Sequence, residues 1–370
     1  MSHHNEPPEP SADLNDEVHI RRRKVDHIEL CAREEVEYRL TTTHLEHVRL
    51  LHQSLPEVDM AQIDLSTPFM GRTLQAPLCI SGMTGGADEA REINRALATL
   101  AQRNGIAFGV GSQRAMLVDP SLLDTYAVRD VAPDVALLAN VGVVQATASP
   151  TAEIQGLVDA IGADALCVHL NPAQEMIQEG GDRDFRGNVA ALARLVEELT
   201  VPIIAKETGC GVSPQTAETL REVGVRWVDV SGAGGTTWVG VEALRARPGR
   251  RAVGEDFWEW GIPTAASVHF AARAGLQPIA SGGLRNGHDV ARAIALGARV
   301  GSMALPFLRA VREGGLERAQ AFLDRVIEGL RVACLLTGSR SAEELRRAPR
   351  LIAPPLQHWM AMQPSRVATL

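Results

Sequence analysis

Short apolar stretches recur along this chain at intervals that fit one architecture. They begin near Pro77 (PLCISGM), Ile106 (IAFGVGS), Val135 (VALLANVG) and Asp164 (DALCVHL). They return near Val201 (VPIIAKE), Val225 (VRWVDVSG), Gln277 (QPIASGG) and Ala298 (ARVGSMA). Each has the length and apolar content of a strand buried on both faces. The early spacing of about thirty residues is that of a βαβ unit.

The intervening segments carry helical periodicity. Residues 88–104 place Ala90, Ile93, Leu97, Leu100 and Ala101 on one face, with Gly105 closing the element. Residues 188–199 do the same with Val189, Leu192, Leu195, Val196 and Leu199. In SPQTAETL, Ser213 suits an N-cap, Pro214 the first turn and Gly224 the stop. Eight buried strands alternating with helices predict the α/β class and, within it, a single-domain parallel (β/α)8 TIM barrel.

Two departures from the rhythm shape the domain plan. The long gap between the sixth and seventh runs is rich in Gly, Arg and Trp over 232–263, and its length and position predict a mobile loop acting as a lid. Residues 306–347 are helical in pattern and would close the outside of the barrel. The expected organisation is therefore a disordered tail (1–20), an N-terminal extension (21–76), the barrel (77–345) and a C-terminal tail (346–370).

Composition narrows the class. The chain has 370 residues, 45% hydrophobic and with net charge −8, so it can fill a large core and carries no basic footprint for nucleic acid. No apolar run approaches the ~18 residues of a membrane span. The polar, Pro-rich start lacks the apolar core of a secretory signal. Cys31, Cys79, Cys167, Cys210 and Cys334 are scattered with no CxxC spacing, which predicts reduced thiols in a cytoplasmic protein.

In such a barrel the working residues follow the strands, at their carboxyl ends. Those positions hold Met83-Thr84-Gly85-Gly86, Gly111-Ser112-Gln113-Arg114, Asn140, His169 through Glu175, Lys206-Glu207, Ser231 through Thr237, Ser281 through Arg285 and Gly301 through Ala304. Gly282-Gly283 and Gly301-Ser302 suit a phosphate cradle after the seventh and eighth strands, with Arg285 available for a charge-assisted contact. Lys206 ends an apolar strand and suits an anionic ligand or an electron-rich ring. Thr236 and Thr237 are donors on a Gly-rich loop. Glu175 is a lone carboxylate, which fits Mg²⁺ shared with substrate phosphate oxygens. His169 suits a phosphate contact or acid–base work, and Gln174 orients by hydrogen bonding because it does not titrate. The alternative for this quartet is a helix start whose polar side chains cap backbone amides. Arg23-Lys24 and Arg114, with one metal carboxylate, point to a second phosphate and hence a phosphorylated substrate.

With these residues in place the chain resembles the type 2, flavin-dependent isopentenyl-diphosphate isomerases over about residues 21–345. The shared motifs are RKxDH at Arg23 to His27, SGMTGG at Ser81 to Gly86, GSQR at Gly111 to Arg114, HLNPAQE at His169 to Glu175, KETGCGVS at Lys206 to Ser213, SGAGGTTW at Ser231 to Trp238, WGIPTA at Trp260 to Ala265 and SGGLRNGHD at Ser281 to Asp289. HLNPAQE with RKxDH is the specific combination. Asp26 stands where Glu is commoner, and Thr236-Thr237 where Thr-Ser is commoner; both keep the functional group.

The resemblance implies a cytoplasmic homo-oligomer, tetramer or octamer, that uses FMN, Mg²⁺ and NADPH (or NADH) as reductant. It implies interconversion of isopentenyl and dimethylallyl diphosphate by acid–base chemistry on reduced FMN, with no net redox change. FMN would contact Met83, Thr84, Ser112, Asn140, Lys206, Ser231, Thr236, Gly283, Arg285, Ala304 and Leu305. The diphosphate would be held by Arg23, Lys24, Ser112, Arg114, His169, Asn171 and Gln174, with Mg²⁺ on Glu175 and Gln174 and His169 as the catalytic pair.

The main rival is an FMN-dependent 2-hydroxy-acid oxidase or dehydrogenase, which shares the barrel and the glycine cradle. That chemistry wants a His base near paired arginines, and the sixth strand here ends in SGAGGTTW without His. A nucleoside-monophosphate dehydrogenase would need a nucleophilic Cys in a mouth loop, where Cys210 is in the wrong context. A flavin barrel with lost activity is disfavoured by the intact set of strand-end residues.

Overall fold

The computed structural model describes residues 12–364, with side chains from Arg23 onward. All eight apolar runs become strands of one closed parallel barrel: β1 (Leu78–Ile80), β2 (Ala107–Gly109), β3 (Leu137–Gly142), β4 (Ala165–Leu170), β5 (Ile203–Glu207), β6 (Trp227–Asp229), β7 (Gln277–Ala280) and β8 (Val300–Met303). The ring closes through β8 on β1, where Ser302 pairs with Cys79.

Alternation along each strand creates two environments. Outward residues such as Ile80, Phe108, Val141, Val168, Ala205 and Val228 pack under the helices in the main core. Inward residues Cys79, Ala107, Leu138, Cys167, Ile204, Ile279 and Val300 fill the lower barrel with Phe69 and Leu74. Those two belong to a hairpin formed by Thr67–Phe69 and Arg72–Leu74, which plugs the barrel floor, with Phe69 edge-on to Trp227. One step further along the strands the inward row turns polar. Register places Gly142, His169, Lys206 and Asp229 side by side at the carboxyl ends of β3 to β6. The fold thus aims these groups into the mouth.

The helices follow the periodicity closely. Asp88–Asn104 buries Ala90, Ile93, Leu97, Leu100 and Ala101, and Asn188–Glu198 buries Leu192 and Leu195, although Val189 lies exposed. Ser213 caps Pro214–Glu222 through its side chain to the Thr216 N–H. The predicted closing helix runs Leu305–Leu336, kinked at Gly314 and Gly315, followed by Ala342–Leu345.

Three expectations about the margins are corrected. Residues 12–20 are part of a helix, α1 (Ala12–Arg33), and residues 1–11 lie outside the described chain. Within its described half, α1 buries Ile28 and Cys31. Residues 232–263 contain two helices, Trp238–Arg245 and Pro248–Asp256, because Val239, Val241, Ala243 and Trp258 find buried contacts that a Gly- and Arg-rich composition does not advertise. The segment after 345 is also structured: Arg350–Ile352 pairs antiparallel with Val48–Leu50, and helix Pro354–Met360 follows. Residues 365–370 lie outside the described chain. Among the described residues no helix is long and apolar enough to cross a membrane.

Candidate active site

The barrel mouth opens into a pocket lined by every residue assigned above to the flavin, the diphosphate or the metal; Thr237 instead caps helix Trp238–Arg245, and Gly301 packs against Val290 and Leu284. From the strand ends come Met83, Thr84, Ser112, Arg114, Asn140, His169, Asn171, Gln174, Glu175, Lys206, Ser231, Thr236, Gly283, Arg285, Ala304 and Leu305, and from α1 come Arg23 and Lys24.

The cradle depends on glycine. Gly282 and Gly283 have φ of +90° and +89°, and a Cβ on Gly283 would sit 2.4 Å from the Gly234 carbonyl oxygen. Only glycine lets the β7 loop lie against the β6 loop at this point. Opposite, helix Leu305–Leu336 begins at the pocket wall, so its positive end faces the same space. The Thr84 hydroxyl, buried in the wall, has no hydrogen-bond partner among the described residues. A glycine cradle, a helix start and an unmatched buried hydroxyl fit a phosphate-bearing cofactor. Arg285 lines the pocket, and its guanidinium is also paired with Glu37, which lies 3.5 Å from Arg309.

The basic wall is crowded. Lys24 Nζ donates to the Ser112 carbonyl at 2.8 Å, and Tyr126 donates to the same oxygen at 2.8 Å. Burial, then the neighbouring Arg23 and Arg114, pull the Lys24 ammonium down to about 7. Arg23 is lowered by burial and then by Arg114, and Arg114 itself reaches Asp182 at 3.4 Å. Cations packed this closely raise one another's free energy, and an anion between them relieves the repulsion.

His169 is pushed down to about 3 by burial, then by Lys206, Lys24 and Arg114, so it is neutral. Its Nδ1 lies 2.9 Å from Asn140 Oδ1, while Asn140 Nδ2 donates to the Val110 carbonyl at 3.2 Å. That orientation puts the His169 proton on Nδ1. Nε2 then accepts, and donates only once a bound anion favours the imidazolium.

Glu175 is buried, and all its partners are neutral. Oε1 accepts from Asn171 Nδ2 at 2.8 Å; Oε2 accepts from Gln178 Nε2 at 3.3 Å and the Asp182 N–H at 2.8 Å. A buried carboxylate with neutral donors and, among the described residues, no contacting cation fits a metal ion that keeps waters. Among the described residues no group of three His, Cys, Asp or Glu forms a closed metal cage.

Sequence reasoning missed Glu242. Its side chain is 1% exposed; Oε1 lies 2.8 Å from His27 Nε2 and accepts from Gln174 Nε2 at 3.3 Å, while Arg245 pairs with Oε2 at 2.8 Å. Burial raises this carboxyl, but the His27 hydrogen bond and then the His27 and Arg245 charges outweigh it, leaving it at about 2. Asp26 joins from α1 at 3.3 Å to Arg245. In the RKxDH stretch Arg23, Lys24 and His27 line the pocket, while His27 and Asp26 also tie α1 to helix Trp238–Arg245. The available signal was a single Glu in the apolar run Val239-Gly240-Val241-Glu242-Ala243-Leu244. Asp229, alone in the apolar β6, gave the same kind of signal and was also passed over.

A profile of the family described as FMN-dependent dehydrogenase matches residues 17–120 and 143–352. Curated proteins named isopentenyl-diphosphate delta-isomerase match almost end to end. That of Methanothrix thermoacetophila is 45% identical over 90% of this chain and 93% of its own, and that of a Nostoc species 45% over 91% and 97%. The chain belongs to the isopentenyl-diphosphate delta-isomerase family, within the FMN-dependent dehydrogenases. Solved structures of more distant flavoenzymes share the fold. A mandelate oxidase with (S)-2-phenylpropionate aligns with TM-score 0.59 at 16% identity, over 91% of this chain and 98% of its own. A lactate oxidase from Pediococcus acidilactici gives 0.62 at 14%, over 94% and 96%. At such identities the likeness concerns the barrel alone.

Proposed function

We propose that this isomerase interconverts isopentenyl and dimethylallyl diphosphate in the barrel mouth, on FMN and with Mg²⁺. The observation that carries the reading is the meeting of two distant segments: α1 delivers Arg23 and Lys24 to the same pocket that holds His169, Gln174 and Glu175. A cradle alone would serve any flavin barrel. A second basic wall beside a lone buried carboxylate suits a diphosphate with its cation.

FMN would be held by Met83, Thr84, Ser112, Asn140, Lys206, Ser231, Thr236, Gly283, Arg285, Ala304 and Leu305. When bound and reduced by NADPH or NADH, it supplies an electron-rich ring that can exchange a proton with the alkene. Arg23, Lys24, Ser112, Arg114, His169 and Asn171 bind the diphosphate, and Glu175 takes Mg²⁺ against it. Gln174 is turned by Glu242 on one side and Asn171 Nδ2, 3.5 Å from its Oε1, on the other, so its amide is presented in one orientation. The apolar wall of Ile28, Leu308 and Trp238 keeps water from the hydrocarbon end. All five cysteines are free thiols, in keeping with a cytoplasmic enzyme; we assign it as a homo-oligomer.

The deciding experiment is an anaerobic assay of isopentenyl diphosphate with FMN, Mg²⁺ and NADPH, scored for dimethylallyl diphosphate. No product with the flavin fully reduced would overturn the assignment. Oxidation of a 2-hydroxy acid instead would favour the rival chemistry.

Two variants test the roles. Glu175→Gln should raise the Mg²⁺ concentration for half-maximal turnover by at least about tenfold, since even outer partners of metal ligands act on that scale; an unchanged titration refutes the metal role. The Lys24 ammonium carries its proton below about 7 and loses it above. Binding of inorganic pyrophosphate should therefore weaken as pH rises through that value, and Lys24→Arg, which stays charged, should flatten the profile.

A further inference from the structure

Three buried polar side chains at the ends of β5, β6 and β7 form a chain of contacts that the reading above uses only at one end. Lys206 Nζ lies 3.2 Å from Asp229 Oδ2 and donates to the Glu207 carbonyl at 3.0 Å. The other oxygen of Asp229 accepts from the Ser281 hydroxyl. Relative exposures of Lys206, Asp229 and Ser281 are 8%, 4% and 4%. Register makes Lys206 and Asp229 direct neighbours across β5 and β6, and the short reach of Asp leaves its carboxylate at the ammonium.

Among the described residues no second carboxylate shares that task. Glu207 follows Lys206 in the chain, but its carboxyl turns the other way and accepts the N–H groups of Thr208, Gly209 and Cys210 at 2.6, 2.9 and 2.6 Å. An unpaired ammonium in a buried mouth projects a full positive charge onto whatever ring lies against it. A paired one projects a dipole, which falls off faster with distance.

We propose that Asp229 is a positioning residue for Lys206 that limits the positive charge presented to the flavin ring, which suits the site to proton exchange rather than electron uptake. The proposal rests on the reading that FMN occupies this pocket. A full ammonium charge beside the ring would stabilise its anionic reduced form and so favour redox chemistry. The Asp229 carboxylate opposes that bias while holding Nζ in place, and the Ser281 hydroxyl fixes the carboxylate.

The test uses the FMN-loaded full chain and its Asp229→Asn variant, which keeps the shape and an oxygen acceptor but removes the charge. Sulfite is the probe: its lone pair bonds to the oxidised ring, and the adduct leaves negative charge there. Asp229→Asn should bind sulfite about tenfold more tightly and raise the two-electron flavin potential by about 30 mV, the equivalent of that factor. Lys206→Met, which removes the opposing charge, should move both quantities the other way, weakening sulfite binding and lowering the potential. If Asp229→Asn does not fold, Asp229→Ser is read the same way. Unchanged sulfite affinity and potential in flavin-loaded Asp229→Asn, or a shift in the same direction in Lys206→Met, would overturn the proposal. Failure of the parent protein to bind FMN would refute the cofactor reading itself, by a separate measurement.

Discussion

Gln174→Ala is expected to lower kcat by on the order of 10²–10⁴-fold, with the flavin spectrum and the KM for isopentenyl diphosphate close to the parent's. The amide carries no titratable proton, so the loss comes from geometry. Gln174 stands on the short helix Pro172–Ile177, directly before the carboxylate assigned to the metal, and Glu242 fixes its Nε2 at 3.3 Å. An alanine removes a pocket-lining amide that is held from behind. The diphosphate contacts come from other residues, so binding should survive while turnover does not. Steady-state kinetics with the flavin held reduced makes the measurement. Near-normal kcat would remove Gln174 from the chemistry, and a raised KM with intact kcat would make it a binding residue.

Glu242→Ala should be the most damaging substitution for the folded state. The carboxylate is 1% exposed and gathers His27, Arg245 and Gln174 from three different elements. Deleting one partner of a buried pair leaves Arg245 poorly compensated, which costs about 3–5 kcal/mol. Asp26, at 3.3 Å from Arg245 but 42% exposed, replaces little of the loss. Thermal melting should show a clear drop in Tm. Glu242→Gln, which keeps the volume and one acceptor oxygen, should lose less. Because α1 is tied down through His27, the alanine variant should also bind pyrophosphate more weakly by way of Arg23 and Lys24. A stability loss below about 1 kcal/mol, the scale of a solvated pair, would contradict the buried network.

These variants separate what was legible in advance from what was not. Strand number, order and parallel sense followed from apolar runs with glycine-rich ends, because a strand covered on both faces has few other compositions open to it. The helix faces followed for a similar reason, down to Ser213 as a cap. His169, Lys206, Gln174 and Glu175 were found because strand carboxyl ends of a barrel converge, so position along the strand already implies the mouth.

The failures share a cause. Helices Trp238–Arg245 and Pro248–Asp256 were taken for a loop because their order comes from partners in the strap at 36–41. Trp258 Nε1 donates to the Glu37 carbonyl at 3.0 Å, and Glu259 accepts the N–H groups of Arg39 and Thr41 at 2.9 and 2.8 Å. Arg285 lines the pocket, but its ion pair with Glu37, 248 residues away, has no trace in the neighbouring sequence. Glu242 and Asp229 each looked like one polar residue in an apolar run.

By itself, then, the amino-acid sequence determined the barrel, the face that works and the residue types lining it. Those depend on hydrophobic period and on where strands end, which are local properties repeated eight times. Only the tertiary structure decided which charges neutralise one another: Lys206 with Asp229, Arg285 with Glu37, Arg245 with Glu242. Periodicity is written along the chain, whereas the energy of a buried charge depends on atoms a few ångströms away in space, contributed by segments whose separation in sequence carries no record of the contact.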